Sequence, residues 1–344
     1  MAYTSVDDPT IYFNTKLYTG NGSSGRGITG VGFQPDWVWI KNRDDNDPHK
    51  VFDAVRGVSK SLKTNSSDSE VNTEENGYVS AFNSDGFTLT QGSSSQQDVN
   101  KNNEKYVAWN WKAGGSGSSN TNGSINSTVS VNTAAGFSIC SWTHDGGNST
   151  IGHGLGAVPK VIITKERNNN GSWNSYFSEV GNGYRMVLQG TNAKISSSVW
   201  NSTTPTANVF SMNDSITSTM IAYCFTEIKG YSKFGSYKGT GNTNGAFVYT
   251  GFKPAWVISK RTDSSNSWRV FDTKRPGFNT ASMNFVHANL SNAEDTGDVM
   301  DLNSNGFKIR TNSTDQNTSG SPYIYMAFAE NPFVSSSGVP GTAR

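Results

Sequence analysis

The side chains that could carry out chemistry are few and scattered along the chain. The four histidines are His49, His144, His153 and His287. None of them has the spacing of a zinc-binding motif such as H-E-x-x-H. Neither of the two cysteines, Cys140 and Cys224, shows in the sequence the low-pKa setting with a histidine partner that a nucleophile needs. We expect them to be buried thiols that pack as small hydrophobic groups, rather than nucleophiles.

Carboxylates do not form a recognisable site either. Asp44, Asp45 and Asp47 crowd one loop, and carboxylate oxygens are the ligands that Ca²⁺ prefers. The loop lacks the Asp-x-Asp-x-Asp-Gly spacing, so a solvated hairpin loop is the preferred interpretation. No pair of glutamates can be singled out for glycoside hydrolysis, because a sequence does not give the distance between two carboxyl groups. The sequence therefore predicts no catalytic residue, no cofactor and no metal.

Aromatic residues in polar surroundings give the best binding signal. Trp173, Trp200 and Trp268 lie among Asn, Ser and Gly residues, where a role in the core is less obvious. Rings of this kind can stack on sugar faces, so these three residues are the candidates for contact with a glycan. The alternative is packing, because Trp173 and Trp268 both lie fourteen residues after a proline of the repeat described below.

Composition excludes several classes of protein. Among 344 residues, 28 Lys and Arg balance 27 Asp and Glu, which argues against a nucleic-acid partner. Hydrophobic residues make up only 33% but aromatic residues 12%, which predicts small cores rich in large rings. No apolar run approaches the ~20 residues that a membrane span requires, so no membrane insertion is expected. The N-terminal residues do not resemble a signal peptide, and we expect synthesis in a reducing cytoplasm.

One unit occurs three times. Each copy has Gly-x-x-Pro, then an apolar strand, then a lysine six residues after the proline. An aromatic residue lies seventeen residues before each proline, and another lies seventeen residues after it. The twelve defining residues, in chain order within each copy, are Tyr18, Pro35, Lys41 and Phe52; Trp142, Pro159, Lys165 and Tyr176; and Tyr237, Pro254, Lys260 and Phe271. Pro at a strand start and Gly at tight turns are typical of β-structure.

The repeats set the predicted boundaries. We expect an N-terminal arm (1–12), repeat 1 (13–113), a flexible Gly/Ser/Asn linker (114–133), repeat 2 (134–229), repeat 3 (230–333) and an extended C-terminal tail (334–344). The long linker predicts that repeat 1 moves independently of repeats 2 and 3. The predicted fold is all-β, with three tandem β-sandwich repeats of the jelly-roll type.

Four segments resemble structural proteins of bacteriophages, including marine phages. They are Gly30–Arg43, Ile151–Lys165, Gly230–Gly241 and Tyr323–Glu330. The resemblance covers nearly the whole chain and implies lectin-like, jelly-roll sandwiches on a virion. It also implies an oligomer, with a trimer as the first choice, and contact with other virion proteins and with a host surface glycan. The surplus of aromatic rings agrees with contacts between chains.

The sequence thus predicts a non-enzymatic, exposed virion protein, a tail fibre or spike subunit that binds the host receptor. A capsid decoration protein would need similar stable, neutral modules and is the alternative. A polysaccharide depolymerase is the third interpretation.

Overall fold

The computed structural model describes residues 4–73, 75–94 and 98–341. The fold is all-β, with sheets that are antiparallel throughout. The helical elements in these ranges are a single 3-10 turn, Pro9–Ile11, and one short α-helix, α1 (Thr314–Asn317). Within the same ranges no helix is long and apolar enough to cross a membrane.

Repeat 1 has a main sheet of six strands and a small sheet of three. The strands are β1 (Phe13–Thr19), β2 (Arg26–Thr29), β3 (Trp37–Asn42), β4 (Lys50–Asp53), β5 (Lys60–Lys63), β6 (Val71–Asn72), β7 (Tyr78–Asn83), β8 (Gly86–Thr90) and β9 (Lys105–Trp111). The order is β1-β9-β3-β4-β5-β6 in the main sheet and β2-β8-β7 in the small sheet.

Repeat 2 has one sheet of eight strands. They are β10 (Ser118–Asn120), β11 (Ser127–Asn132), β12 (Phe137–Gly152), β13 (Val161–Glu166), β14 (Asn174–Phe177), β15 (Tyr184–Val187), β16 (Ile195–Ser196) and β17 (Val209–Phe225). Their order is β10-β11-β12-β17-β13-β14-β15-β16. The long strands β12 and β17 pair over almost their whole length, with a bulge between Asp145 and Gly147.

Repeat 3 returns to the pattern of repeat 1. Its strands are β18 (Ser232–Lys238), β19 (Phe247–Tyr249), β20 (Phe252–Arg261), β21 (Arg269–Asp272), β22 (Met283–His287), β23 (Asp295–Gly297), β24 (Met300–Asn303), β25 (Gly306–Ile309) and β26 (Pro322–Pro332). The main sheet has the order β18-β26-β20-β21-β22-β23 and the small sheet β19-β25-β24.

The repeat-defining residues lie at matching places in the three sheets. Two residues after each proline, Trp37, Val161 and Trp256 pair with Trp111, Phe225 and Phe328 of the last strand of the repeat. Pro254 lies inside β20, where the register is irregular, as expected for a residue that cannot donate to a ladder. The paired aromatic anchors lie in the separate cluster of each repeat: Tyr18 with Phe52, Trp142 with Tyr176, and Tyr237 with Phe271.

Two predicted segments, the flexible linker 114–133 and the extended C-terminal tail, have a different structure from the one predicted. The predicted linker 114–133 contains β10 and β11, which extend the sheet of repeat 2 through pairing with β12. The cause is the alternation of Val129 and Val131 with polar residues, a half-buried strand pattern that the Gly/Ser composition concealed. The predicted extended tail folds back after Phe333, because Gly341 N–H donates to the Phe333 carbonyl at 2.7 Å.

The three repeats share one core. The largest apolar cluster takes residues from the arm and from every main sheet, and each repeat also keeps a smaller cluster of its own. Trp37 of repeat 1 stacks on Tyr223 of repeat 2 with ring centroids 4.4 Å apart. Trp111 meets Trp256 of repeat 3 at 5.5 Å, and Phe225 meets Phe328 at 5.8 Å. Each main sheet therefore covers a face of the other two.

This arrangement corrects the expectation of a freely moving repeat 1. It also removes the physical reason given for contacts between chains, because the surplus of aromatic rings is buried between repeats of the same chain. An apolar cavity of about 10 Å³ remains in the shared core, lined by Trp37, Trp256 and Met326 among others. It is at the lower limit for holding one water molecule, so the shared core is densely packed.

Truncation of Trp37 to alanine should therefore destabilise the whole chain. The indole is 3% exposed and packs on Phe137, Tyr223 and Phe225 of repeat 2, so Trp37→Ala should cost about 3–5 kcal/mol of unfolding free energy. Urea denaturation followed by tryptophan fluorescence and by far-UV circular dichroism should give one coincident transition at a lower midpoint. Two separated transitions, with repeats 2 and 3 unaffected, would contradict a shared core.

Candidate functional site

The three tryptophans predicted to contact a glycan are buried, and that prediction is wrong. Trp173, Trp200 and Trp268 are each 1% exposed. Trp200 packs against Tyr176 inside repeat 2, with ring centroids 5.8 Å apart, and donates to the Tyr184 carbonyl at 3.0 Å. The other two lie where one repeat meets the next. Polar neighbours in the sequence did not reveal this, because the covering surface comes from another repeat.

The residue fourteen positions after each proline makes the same contact with the preceding repeat. Trp173 Nε1 donates to the Lys63 carbonyl at 2.8 Å, and Trp268 Nε1 donates to the Val187 carbonyl at 3.0 Å. His49 occupies this position in repeat 1, and its Nε2 lies 3.0 Å from the His287 carbonyl. Trp39 Nε1 donates to His49 Nδ1 at 2.8 Å, so Nε2 carries the proton. The contacts run from repeat 2 to 1, from 3 to 2 and from 1 to 3, and thus close a ring.

Backbone hydrogen bonds repeat this pattern. The carbonyl eight residues after each proline accepts an N–H from the preceding repeat. The pairs are Glu70 N–H with Arg167 at 2.6 Å, Lys194 N–H with Thr262 at 2.8 Å and Glu294 N–H with Arg43 at 2.8 Å. Each contact surface between two repeats, which we call a seam, therefore has the same backbone geometry.

The seam between repeats 1 and 2 contains a buried ion network. Asp53 accepts hydrogen bonds from Arg56 Nε and from Tyr223 Oη, the latter at 2.7 Å. Arg56 also contacts Glu70 at 3.1 Å, and Glu70 binds Arg167 of repeat 2 through two bonds of 3.0 Å. Burial opposes ionisation of Glu70, but the hydrogen bond from Arg167 and the charge of Arg56 outweigh it and lower the pKa of Glu70.

The seam between repeats 3 and 1 contains the equivalent network. Trp109 Nε1 donates to Asp272 at 3.0 Å, and Asp272 pairs with Arg275 at 2.7 Å. Glu294 contacts Arg275 at 3.3 Å and binds Arg43 through bonds of 2.9 and 2.7 Å. Both networks join an acid and an arginine of one repeat to groups of the next.

The seam between repeats 2 and 3 has uncharged residues at four of the same positions. Phe177 and Val180 stand where the other seams have the buried Asp and Arg. Met326 stands where repeat 1 has the donor Trp109 and repeat 2 has the donor Tyr223. Thr262 stands where repeats 1 and 2 have Arg43 and Arg167. Phe177 packs on Trp268 with ring centroids 5.9 Å apart. Two seams are therefore fastened by ions and one by hydrophobic contact.

The lysines that define the repeat are structural. Lys41, Lys165 and Lys260 are fully buried, and each Nζ donates to the carbonyl of the next residue, at 2.5, 2.6 and 2.6 Å. Burial lowers the pKa of each lysine to about 8.

Three further chemically capable groups, Cys140, Cys224 and His153, are buried inside the fold. Cys140 and Cys224 are buried free thiols, and burial together with the hydrogen bond between them raises the pKa of Cys224. His153 Nε2 lies 3.1 Å from the Thr206 carbonyl, and burial lowers the pKa of this histidine. These groups have the settings of packed core residues rather than of a nucleophile or a metal site.

The acidic loop of repeat 1 brings Asp45, Asp47 and Glu104 close enough to share an ion. The Lys101 ammonium lies between two of them, 2.9 Å from Asp45 and 2.5 Å from Glu104. Asn42 donates to Asp47 at 2.5 Å. The chain thus supplies its own cation and amide donor to these carboxylates.

An open groove of about 480 Å³ lies on the outside of the seam between repeats 2 and 3. Phe247 and Tyr249, 47% and 48% exposed, project from β19 on one side, because Val248 between them points into the core. Glu179, Glu227, Lys160 and Lys233 also line the groove. A second hollow of about 350 Å³ shares Glu227, Lys233 and Tyr249 with it. No feature of the sequence marked these rings, because only the strand direction distinguishes them from core residues.

The floor of this groove is formed by Tyr325 and Gly235. Tyr325 is 3% exposed and its ring packs on Phe307 with centroids 5.1 Å apart. A Cβ atom at Gly235 would lie 3.0 Å from the Tyr325 hydroxyl oxygen, so only glycine leaves this hydroxyl accessible without crowding. Burial and the negative charges of Glu227 and Glu179 raise the pKa of Tyr325, which therefore stays protonated. The groove offers a hydroxyl donor, two half-exposed rings and charges of both signs.

Replacement of Arg56 by methionine should break the ion network between repeats 1 and 2. Arg56 and Asp53 have fully buried side chains, and removal of one partner leaves an uncompensated buried charge. We expect a loss of about 3–5 kcal/mol in urea denaturation. The matched control is Lys63→Met, whose ion pair with Asp68 is exposed and should cost less than about 1 kcal/mol. Equal losses in the two variants would rule out a structural role for the network.

The buried lysines should make stability rise with pH in mildly alkaline solution. Their pKa is about 8 in the folded chain and 10.5 in the unfolded chain, so the unfolded chain binds more protons between these values. We expect the free energy of unfolding to increase from about pH 8 to about pH 9.5, by at most ~1.4 kcal/mol per pH unit for each lysine. The variant with Lys41, Lys165 and Lys260 all changed to methionine should have a flatter profile. A decrease of wild-type stability over this window would refute the assignment.

Comparison with known proteins gives one match. The model of a family described as a domain of unknown function, DUF7483, matches residues 8–332. No curated protein and no solved structure matches the chain. The match extends from the N-terminal 3-10 turn to the end of β26, and so includes all three repeats and their seams. Since it spans far more than half of the chain, the protein belongs to the DUF7483 family.

Proposed function

We propose that this protein is a non-enzymatic, exposed structural protein of a bacteriophage virion and that it binds the host receptor as part of a tail fibre or spike. The closed ring of three repeats is the observation that carries the proposal. Phage fibres are often trimers, and this chain supplies three equivalent units by itself. A body of this kind fits on the end of a threefold shaft made by other virion proteins.

The distribution of chemical groups supports a binding role over catalysis. The buried acids and arginines of the ion-paired seams bind one another, the repeat-defining lysines bind carbonyl groups, and the thiols are packed in a core. The groove on repeat 3 instead combines half-exposed rings with polar side chains, which is typical of recognition sites. Assembly of the chain into a homotrimer is part of the proposal, although the aromatic rings between repeats no longer argue for it.

Electron microscopy of the phage that encodes the protein tests this proposal. Particles labelled with gold-conjugated antibody against the purified protein should carry gold at the distal end of the tail. Gold over the capsid would favour a decoration protein, and purified particles without the protein would reject a virion role altogether. Light scattering of the purified protein should give the mass of a trimer, and the mass of a single chain would reject homotrimer assembly.

A separate assay addresses the enzymatic alternative. Because Glu179 and Glu227 line one groove, the protein should be incubated with host surface polysaccharide and the reducing ends measured. We expect no release above that of buffer. Release that is lost in Glu227→Gln would replace the adhesin with a depolymerase.

A further inference from the structure

The rings beside the groove are specific to repeat 3. Val248, between Phe247 and Tyr249, pairs with Phe307 of the neighbouring strand. The equivalent pairs are Ile28 with Phe87 in repeat 1 and Ile151 with Phe210 in repeat 2. The residues flanking these two isoleucines are Gly27, Thr29, Thr150 and Gly152. The fold thus forms twice without rings at these positions, so folding does not require Phe247 and Tyr249.

The floor of the groove is also specific to repeat 3. Tyr325 pairs with Gly235, whereas repeat 1 has Ala108 opposite Lys16 and repeat 2 has Ala222 opposite Cys140. Repeat 3 therefore places a large residue where the others have alanine, and removes the facing side chain. Among the described residues the Tyr325 hydroxyl has no hydrogen-bond partner, and it lines the groove although the residue is 97% buried. The hydroxyl opens into the groove and is therefore available to donate a hydrogen bond to a ligand there.

The charges beside the groove restrict the ligand. Lys160, Lys233, Glu179 and Glu227 all line the groove, so positive and negative side chains are equal in number. Such a lining has no overall preference for a polyanion or a polycation. Ammonium groups donate hydrogen bonds and carboxylates accept them, which suits a ligand rich in hydroxyl groups.

The exposed rings add a second requirement. The face of an aromatic ring carries partial negative charge and attracts the C–H groups of an apolar ligand face. Phe247 and Tyr249 are two residues apart on one strand, about 7 Å along it, and so form a continuous platform. A ligand with many hydroxyl groups, no net charge and an apolar face is a carbohydrate.

We propose that the groove formed by Phe247, Tyr249 and Tyr325 binds a neutral carbohydrate chain. The Tyr325 hydroxyl donates to the sugar, the two rings stack on its apolar face, and the paired charges hold its hydroxyl groups. The inference rests on the proposed receptor-binding function, since it specifies the chemical class of the receptor that the protein binds. It assigns the contact to one seam, where repeat 3 supplies the rings and the hydroxyl, rather than to all three repeats.

Binding to immobilised oligosaccharides tests the assignment. The panel contains neutral chains of glucose, galactose and N-acetylglucosamine, with sialylated and sulfated chains for comparison. We expect wild-type protein to bind at least one neutral chain, with little change when NaCl rises from about 0.05 to about 0.5 M. The double variant Phe247→Ala, Tyr249→Ala should lose at least about tenfold in affinity. Tyr325→Phe, which removes only the hydroxyl, should lose roughly two- to tenfold.

A matched control separates the groove from a general effect of surface rings. Phe278 is 36% exposed and has the Lys253 ammonium 5.5 Å from its ring centroid, similar to Lys233 over Tyr249 at 5.7 Å. Phe278→Ala should bind as wild type does. Thermal unfolding of each variant checks that the fold is intact, and Tyr325→Phe tests the groove even if the double variant is unstable.

Three results would overturn the assignment. They are unchanged binding in both groove variants, binding to anionic chains alone, and no binding to any chain of the panel. Self-association of wild type that the double variant abolishes would make the groove an interface between two copies, and would also overturn it. Failure here is distinct from failure of the proposed function, because gold labelling at the tail does not depend on carbohydrate binding.

Discussion

Burial of one aromatic face of each main sheet is the interaction on which this structure depends. A sheet that bears Trp37, Trp39, Trp109 and Trp111 on one side cannot leave that side in water. The small sheet of the same repeat covers the opposite face, so only the other two repeats can cover this one. Mutual burial of the three aromatic faces therefore arranges the repeats in a ring. The polar groups of the seams surround the apolar core that this burial forms.

The three repeats separate the needs of folding from those of recognition. Two features on which all three repeats agree are structural: the buried lysine binds a carbonyl of its own repeat, and a backbone hydrogen bond crosses each seam. Repeat 3 departs from the other two at Gly235, Phe247 and Tyr249, and these three residues meet in one groove. Comparison of the three repeats within one chain thus distinguishes residues needed for folding from residues available for recognition.

The sequence predicted the all-β class correctly, because alternating strands, turn glycines and the prolines before strands are local signals. It could not predict the burial of Trp173 and Trp268, whose acceptors lie 110 and 81 residues away. The ion pairs across the seams could not be predicted for the same reason, since Arg43 and Glu294 are 251 residues apart in the sequence. Residues that lie at equal offsets after each proline marked the right positions, but gave no sign that these positions face another repeat.

The different chemistry of the seams has a consequence for how the chain avoids assembling in the wrong order. Repeats of similar shape could exchange places, or accept a repeat from a neighbouring chain during synthesis. If repeat 3 took the place of repeat 2 beside repeat 1, Thr262 would face Glu70, and Met326 would face Asp53 in place of Tyr223. Asp53 would then lose the Tyr223 hydroxyl as a donor, and Glu70 would lose both hydrogen bonds from Arg167. The difference between the ion-paired seams and the uncharged seam therefore favours one order of the three repeats around the ring.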